Sequence, residues 1–268
     1  MKNIYLLLLV LLGAFGQSVA QTNITKTTIE GANGVRVNTY TGSLFYQRSD
    51  LRIPGRGLSL DVMFSYNSVA RYKDWGYGRG WTFSYNMAYY PDSASIVIQQ
   101  MDGRKNRYFE KAGGGYIRPT GVFDSLEQYQ PGKFRLLMND GTVYFFDNAA
   151  HKKLTKIQDR NNNAVTLAYT DTLLTQMTDP SGRHLQFTWT NGRMTRLTDP
   201  NVSPARQVLY EYDTQGNPIK VTDPLGNFME YKYDDEHKLI AVINQNGIPV
   251  NIEYNSLTAV RRLVSCVS

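Results

Sequence analysis

LTKIQDRNNNAVTLAYTDTLLTQMTDPSGRHLQFTWTNGRMTRLTD, residues 154–199, contains the same pattern twice and begins a third copy. Leu154, Ile157 and Asp159 precede an alternating run of Val165, Leu167 and Tyr169. Leu174, Met177 and Asp179 precede Leu185, Phe187 and Trp189. The pattern continues beyond the quoted stretch. Met194, Leu197 and Asp199 lead to Val208, Tyr210 and Tyr212, and Pro218, Val221 and Asp223 lead to Met229, Tyr231 and Tyr233. Leu239, Val242 and Asn244 then lead to Val250, Ile252 and Tyr254. The Asp-like positions step by 20, 20, 24 and 21 residues, and the closing aromatics by 20, 23, 21 and 21. A period of this size is the signature of a repeat architecture. The one long step carries its extra residues in Asn201 to Arg206, where a loop insertion costs little.

Each unit holds two strands and two turns. In Asp179-Pro180-Ser181-Gly182 and Asp223-Pro224-Leu225-Gly226, Asp stands where its carboxylate accepts local N–H groups, Pro presets φ, and Gly relaxes the exit. Asp159 and Asp199 hold the same turn position in their units. The second reversal follows the aromatic, as in Tyr212-Asp213-Thr214-Gln215-Gly216 and Tyr233-Asp234-Asp235-Glu236, while Asn191-Gly192 is a two-residue hairpin signal. The outgoing strands alternate, which predicts one buried and one wet face. The aromatics Tyr169, Trp189, Tyr210, Tyr212, Tyr231, Tyr233 and Tyr254 fall on the buried side, as cross-strand rings paving a core face. The incoming strands do not alternate. A leucine-like residue and an aliphatic three positions on have opposite parity, so either a bulge intervenes or the leucine belongs to the preceding turn. The segments are too short and too closely bounded by turns for helix.

Residues 21–150 have strand patterning without the repeat. Leu58, Leu60, Val62, Phe64 and Tyr66 alternate, as do Trp81, Phe83, Tyr85, Met87 and Tyr89. Ile96 and Ile98 lead to Asp102-Gly103 and Tyr108, and Phe134, Leu136 and Met138 lead to Asp140-Gly141, Val143 and Phe145. The hand-over to the repeat is placed near Asp147 to Lys153. No Pro/Ser-rich linker separates the halves, so one continuous sheet system is expected.

Lys2 followed by the apolar run Ile4–Phe15 and the small residues Ser18-Val19-Ala20 reads as a signal peptide, cleaved between Ala20 and Gln21. Twelve apolar residues are too few for a membrane span, so no span is expected after cleavage. The single cysteine, Cys266, forms no internal disulfide. Without Lys2 the charge is 28 basic against 23 acidic residues, scattered with no Lys/Arg run, which points away from nucleic acid. The 19 Tyr and 22 Gly suit a twisted all-β architecture with frequent reversals.

These residues resemble the Rhs/YD-repeat family of bacterial exported proteins, named for the dipeptide seen at Tyr212-Asp213 and Tyr233-Asp234. VNTYTGSLFYQRSDLRIPGRGLSL (37–60), FSYNS (64–68) and GYGRGWTFSY (76–85) look like that family's amino-terminal module. LLMNDGTVYFF (136–146) and LTKIQDRNNNAVTLAY (154–169) resemble its transition into the repeats. The resemblance implies a sheet that spirals into a hollow shell, which in many members encloses a carboxy-terminal toxin. Other members are surface- or wall-associated, and some repeats are linked to carbohydrate binding. Ten repeat strands about 4.8 Å apart cover only roughly 50 Å, so an incomplete shell is expected. The domain reading is a signal peptide at 1–20, a β-module at 21–150, about five YD-type repeats at 151–255, and an irregular or truncated tail at 256–268, where a sixth unit should begin but the residues fit poorly. An exposed last strand would be a sticky edge.

The motifs of catalysis do not assemble. His151, His184 and His237 occur singly, without metal-ligand spacing, and are read as solvated polar residues. There is no GxSxG elbow. Gly76-Tyr77-Gly78-Arg79-Gly80 lacks phosphate-cradle spacing and reads as a tight turn that lets Trp81 pack. Self-cleaving family members use aspartates in a core-associated segment with a DPxG string; Asp179 and Asp223 match that string, but the segment is absent and turn chemistry already accounts for them. Neither cofactor nor metal is expected. The expected role is a non-enzymatic exported scaffold of periplasmic, cell-wall or extracellular location. Its partners would be the rest of the shell and an enclosed toxin, and the alternative is adhesion to a glycan or the cell envelope.

Overall fold

A computed structural model describes residues 28–30, 34–38, 40–55, 57–256 and 259–265. The leader, its cleavage point at Ala20 and Gln21, and Cys266 lie outside the described residues. The fold is all-β and antiparallel. Three sheets share one continuous core.

The first sheet has strands β1 (Thr28–Glu30), β2 (Val35–Asn38), β3 (Leu44–Ile53), β4 (Leu60–Asn67) and β5 (Trp81–Phe83), in chain order. The second has β6 (Ala88–Asp92), β7 (Ser95–Gln99), β8 (Lys105–Glu110) and β9 (Tyr116–Ile117). The run Trp81–Tyr89 reads as one alternating strand but is divided between these two sheets. A turn closes it, with Asn86 N donating to Phe83 O and Asn86 Nδ2 to Thr82 Oγ1.

The third sheet has fourteen strands, each paired with its sequence neighbours. It begins with β10 (Ser125–Gln130), β11 (Lys133–Leu137), β12 (Val143–Phe146), β13 (Lys156–Gln158) and β14 (Ala164–Thr170). It continues through β15 (Leu173–Thr178), β16 (His184–Thr190), β17 (Arg193–Asp199), β18 (Arg206–Tyr212) and β19 (Pro218–Thr222). β20 (Phe228–Tyr233), β21 (Leu239–Asn244), β22 (Pro249–Tyr254) and β23 (Val260–Ser265) complete it. Its end strands β10 and β23 do not pair, so the arrangement is open.

Two sequence readings change here. The long sheet itself starts at Ser125 and runs on through the expected hand-over at Asp147 to Lys153, because β12 pairs directly with β13 through Tyr144↔Ile157. Phe146 and Tyr144, not Phe145 and Val143, share the inward face with Phe134 and Leu136, since the register is Phe134↔Phe146. The segment 256–268, expected to be irregular, contains β23. Its register Tyr254↔Val260 and Ile252↔Leu263 repeats that of the unit before it, Tyr233↔Leu239 and Tyr231↔Val242. Val260 and Leu263 thus occupy the leucine-like and aliphatic positions of a sixth unit.

The parity conflict in the incoming strands is resolved by bulges. Tyr169 opposes Leu174 but Ala168 opposes Gln176, leaving Thr175 as an extra residue. Thr195, Ile219, Ile240 and Arg261 are the extra residues at the equivalent places. One inserted residue restores both Leu174 and Met177 to the buried face.

Candidate functional site

The bulges create the chemistry of the inner face. On the side of the next outgoing strand, the ladder stops two residues after the leucine-like position, as at Gln176↔Gln186, Arg196↔Leu209 and Ala241↔Asn251. The N–H and C=O of the leucine-like residue therefore need partners outside the ladder. The carbonyls take ring donors. Tyr169 Oη donates to Leu154 O at 2.8 Å, Trp189 Nε1 to Leu174 O at 2.7 Å, Tyr212 Oη to Met194 O at 2.7 Å, and Tyr254 Oη to Leu239 O at 3.0 Å. The closing aromatic of each of these units thus locks the residue that opens it.

Four of the N–H groups are received by the amino-terminal module. Leu154 N donates to Met87 O at 3.0 Å, Met194 N to Gly76 O at 3.0 Å, Leu239 N to Tyr66 Oη at 3.1 Å, and Val260 N to Gly42 O at 2.7 Å. The order is antiparallel: later module residues serve earlier repeats. Pro218 has no N–H to offer, and there the module makes a close packing contact instead. A Cβ on Gly78 would lie 2.4 Å from Pro218 Cδ.

A buried polar box lies at the centre of this seam. Asp50 is the bulge residue of β3, between Ser49↔Met63 and Leu51↔Val62. The bulge lets Tyr46, Arg48 and Asp50 face the repeats while Leu51 and Ile53 remain buried further along the strand. The Arg48 and Asp50 side chains are 11% and 2% exposed, with Nε to Oδ1 at 2.6 Å. Asp50 Oδ2 also accepts from Tyr210 Oη at 2.6 Å, and Arg48 Nη1 donates to Tyr231 Oη at 3.3 Å. The guanidinium carbon lies 4.7 Å from the Trp81 ring centroid and 5.2 Å from that of Phe64. Desolvation by burial pushes the hydroxyls of Tyr46, Tyr210 and Tyr231 up, and the Asp50 carboxylate adds to the rise at each. Trp81, fully buried, donates Nε1 to Tyr233 Oη at 2.9 Å.

Both rims of the sheet are tied to the module as well. Arg183 Nη2 donates to Pro54 O at 2.6 Å on the rim of the Asp turns. On the opposite rim Arg193 pairs with Asp74 at 2.7 Å and Arg79 Nε donates to Gln215 O at 3.0 Å.

Residues 34–108 match the family model described as Domain of unknown function (DUF6531), and residues 170–201 and 212–249 match the RHS Repeat model. The chain belongs to the Rhs/YD-repeat family. It is 33% identical to the tRNA nuclease WapA of Bacillus subtilis (strain 168) over 270 residues, covering 94% of this chain and 11% of that protein. Against the tRNA3(Ser)-specific nuclease WapA of Bacillus spizizenii it is 35% identical over 222 residues, covering 82% and 9%. The chain thus spans about a tenth of the length of these relatives. Among solved structures, the Photorhabdus luminescens Tc holotoxin pore with mutation TccC3-D651A aligns at 11% identity and TM-score 0.39, covering 89% of this chain and 14% of that one. The amino-terminal domain of effector protein SpvB from Salmonella typhimurium aligns at 11% identity and TM-score 0.32, covering 82% and 99%. Rhs/YD-repeat proteins are secreted and cell-surface bacterial proteins, and the family includes polymorphic toxins. Residues 170–201 and 212–249 are a structural repeat region of this family.

The turn aspartates of the Rhs/YD units each close their own loop. Asp179 Oδ1 accepts from Ser181 N and Arg183 N, and Oδ2 from Arg183 Nε. Asp223 does the same with Leu225 N, Asn227 N and Asn227 Nδ2, and Asp159 with Asn161 N, Asn163 N and Asn163 Nδ2. Asp199, in the longer loop, is held by Asn201 and Arg206. Gly182 and Gly226 stand at φ +83 and +85. Asp213 and Asp234, which begin the YD loops, build the same motif with Asn217 and Lys238. Except at Asp199, the side chain four residues after the Asp is the part that turn reasoning missed, although the D-x-x-x-N/R/K spacing carries the signal. These carboxylates are engaged in local hydrogen bonds rather than shared between turns.

Two of the three histidines, His151 and His237, differ from the expected solvated positions. His151 packs on the Tyr169 ring at 4.6 Å, and His237 Nδ1 meets Asn217 Oδ1 at 3.0 Å. Among the described residues no group of three or more His, Cys, Asp or Glu could hold a metal ion, and no helix is long and apolar enough to cross a membrane. Arg48, Asp50, Gly76 and Gly78 were the residues hidden from sequence reasoning. Their roles depend on a partner strand 100 or more residues away.

Proposed function

We propose that this chain is the amino-terminal wall of an exported Rhs-type shell, a non-catalytic scaffold whose toxic chemistry resides in a separate domain encoded downstream. The observation that carries this reading is the strap of module acceptors Gly42, Tyr66, Gly76 and Met87, which meets the leucine-like residues of four repeat units in reverse chain order. A surface so committed to its own neighbouring unit supports a wall rather than a ligand cleft. The relatives named as tRNA nucleases are far longer than this chain, which leaves room for a nuclease or other toxic domain elsewhere in such a polypeptide. The sequence leader supports a periplasmic, cell-wall or extracellular location.

The glycan-binding alternative is weaker on the same grounds. Tyr169, Trp189, Tyr212 and Tyr254 use their polar atoms on backbone carbonyls of the sheet and pack against the core. Such rings have little free face for a sugar. The deciding experiment is to sequence the locus downstream. Dozens of further YD units followed by a distinct carboxy-terminal domain are expected. A locus with no further unit in frame, together with saturable binding on a glycan array, would overturn the scaffold reading.

A further inference from the structure

The loop that joins β12 to β13, residues 147–155, fastens the repeats to the module and carries a histidine at its centre. Asn148 starts the turn. Its Oδ1 accepts from Ala150 N at 2.8 Å and His151 N at 3.2 Å, and its carbonyl from Lys152 N at 2.9 Å. Two backbone bonds then tie the loop to the start of β6, on either side of the Ala88↔Lys153 bridge. Tyr89 N donates to Lys152 O at 2.9 Å, and Leu154 N to Met87 O at 3.0 Å. Between them, Lys153 N donates to His151 Nδ1 at 3.1 Å. That bond requires an unprotonated Nδ1, because an imidazolium has two N–H donors and no acceptor.

The surroundings also favour the neutral ring. The imidazole lies on the Tyr169 ring at 4.6 Å, and Tyr169 is held in place by its hydroxyl bond to Leu154 O at 2.8 Å. An imidazolium would gain a cation–π contact there, but Lys153 Nζ already stands 6.0 Å from the centre of the same ring. Burial first, and the Lys153 ammonium second, hold the His151 imidazole below the ordinary histidine value. The groups facing it are thus Lys153 from its own loop and Tyr169 from β14. The titratable side chains of β6 are engaged elsewhere: Tyr89 Oη donates to Gly132 O, Tyr90 Oη to Gln99 Oε1, and Asp92 pairs with Arg107.

We propose that His151 is a pH-sensitive latch, whose protonation below neutrality breaks the Lys153 bond and loosens this loop from Met87 and Tyr89. The sign follows from linkage. In the unfolded chain a histidine protonates near about 6.5. The folded value is lower, so the unfolded state binds more protons as pH falls. The latch contributes fully above about pH 6.5, and its contribution is lost as pH falls through the folded value. The corners at Gly76–Met194 and Gly42–Val260 are closed by backbone N–H and carbonyl groups and carry no such dependence. Acid therefore frees the first corner of the strap and leaves these two shut.

The latch goes beyond the scaffold reading and does not rest on it. Hydrogen exchange of the full chain, corrected for intrinsic rates, is compared at about pH 8 and about pH 5. The Leu154 and Tyr89 amides are expected to lose about five-fold in protection at the lower pH, the value of one hydrogen bond. Met194 and Val260 should keep theirs. In His151→Gln the side-chain oxygen can still accept but does not titrate, so the difference between the two pH values should vanish. The His151 ring signals in an NMR titration should have their midpoint below about 6.5. This midpoint and the exchange of the unaltered chain keep the test independent of the variant. Equal protection of Leu154 and Tyr89 at both pH values, or the same loss in His151→Gln, overturns the proposal. So does a midpoint at or above about 6.5.

Discussion

Asp50 and Tyr210 are separated by 160 positions in the chain, and the hydroxyl of one donates to the carboxylate of the other at 2.6 Å. This bond joins the module to the repeats inside a ring of aromatic side chains, with Arg48 as the counter-ion. Removing one member of a buried pair leaves an uncompensated charge, whereas replacing both with apolar groups removes the desolvation cost as well. Asp50→Ala is therefore expected to destabilise the chain by about 3–5 kcal/mol. Arg48→Met combined with Asp50→Leu should lose much less. Urea denaturation of Asp50→Ala and of the double variant measures this. A double variant as unstable as Asp50→Ala would show that the box is not acting as a paired unit.

The ring-to-carbonyl locks have a smaller and more local value. Tyr212→Phe keeps the ring but leaves Met194 O without its donor, so a loss of about 1–3 kcal/mol is expected for the buried acceptor. Tyr72, whose ring is exposed, should tolerate the same change within about 0.5 kcal/mol. Thermal denaturation of the pair of variants tests the contrast; equal losses would mean the lock contributes nothing beyond ring burial.

Two glycines separate local from tertiary constraint. Gly226 at φ +85 has open space around the position of a Cβ, so Gly226→Ala should cost only the left-handed backbone penalty of about 1–2 kcal/mol. Gly78 at φ +108 adds the clash with Pro218, and Gly78→Ala should cost clearly more. Its effect should shrink in a Pro218→Ala background, whereas that of Gly226→Ala should not. Denaturation of the two glycine variants, of Pro218→Ala and of the two double variants measures both terms.

Alkaline pH should unfold the seam. Burial pushes Tyr85 up to about 12 and raises Tyr77, Tyr210 and Tyr233 as well. In the unfolded chain a tyrosine ionises near about 10. The folded state therefore binds more protons above that pH, and its stability must fall as pH rises. The contribution is intact below about pH 10 and is lost progressively as pH climbs toward the folded-state values. Phenolate absorbance and circular dichroism followed together should change in one cooperative step. Smooth, independent ionisation of every tyrosine with the fold retained would contradict the burial assigned here.

The twenty-odd-residue period, the Asp-x-x-Gly turns and the alternation of the outgoing strands were all legible from the amino acids. Each depends on neighbours within a few positions: a carboxylate reaching N–H groups two and four residues on, a glycine at positive φ, apolar side chains on every second residue. Turn chemistry and period 2 are local physics, and they determined an all-β chain of repeated hairpins. The sixth unit was harder to see because Val260 and Leu263 follow an Asn-led turn with no Asp or Pro to mark it.

What only the tertiary structure decided is where the module lies and why its residues are needed. Arg48 and Asp50 carry no local signal of their role, which appears only when a bulge turns them inward onto Tyr210 and Tyr231. Gly76 and Gly78 read as part of a tight turn beside Trp81, yet they are small because Trp189 and Pro218 lie against them. The choice between a bulge and a longer turn at the leucine-like positions could not be made from spacing, since both keep the period. It is settled by hydrogen-bond supply: a bulge frees a C=O and, except at Pro218, an N–H, and only a folded partner can show which groups receive them.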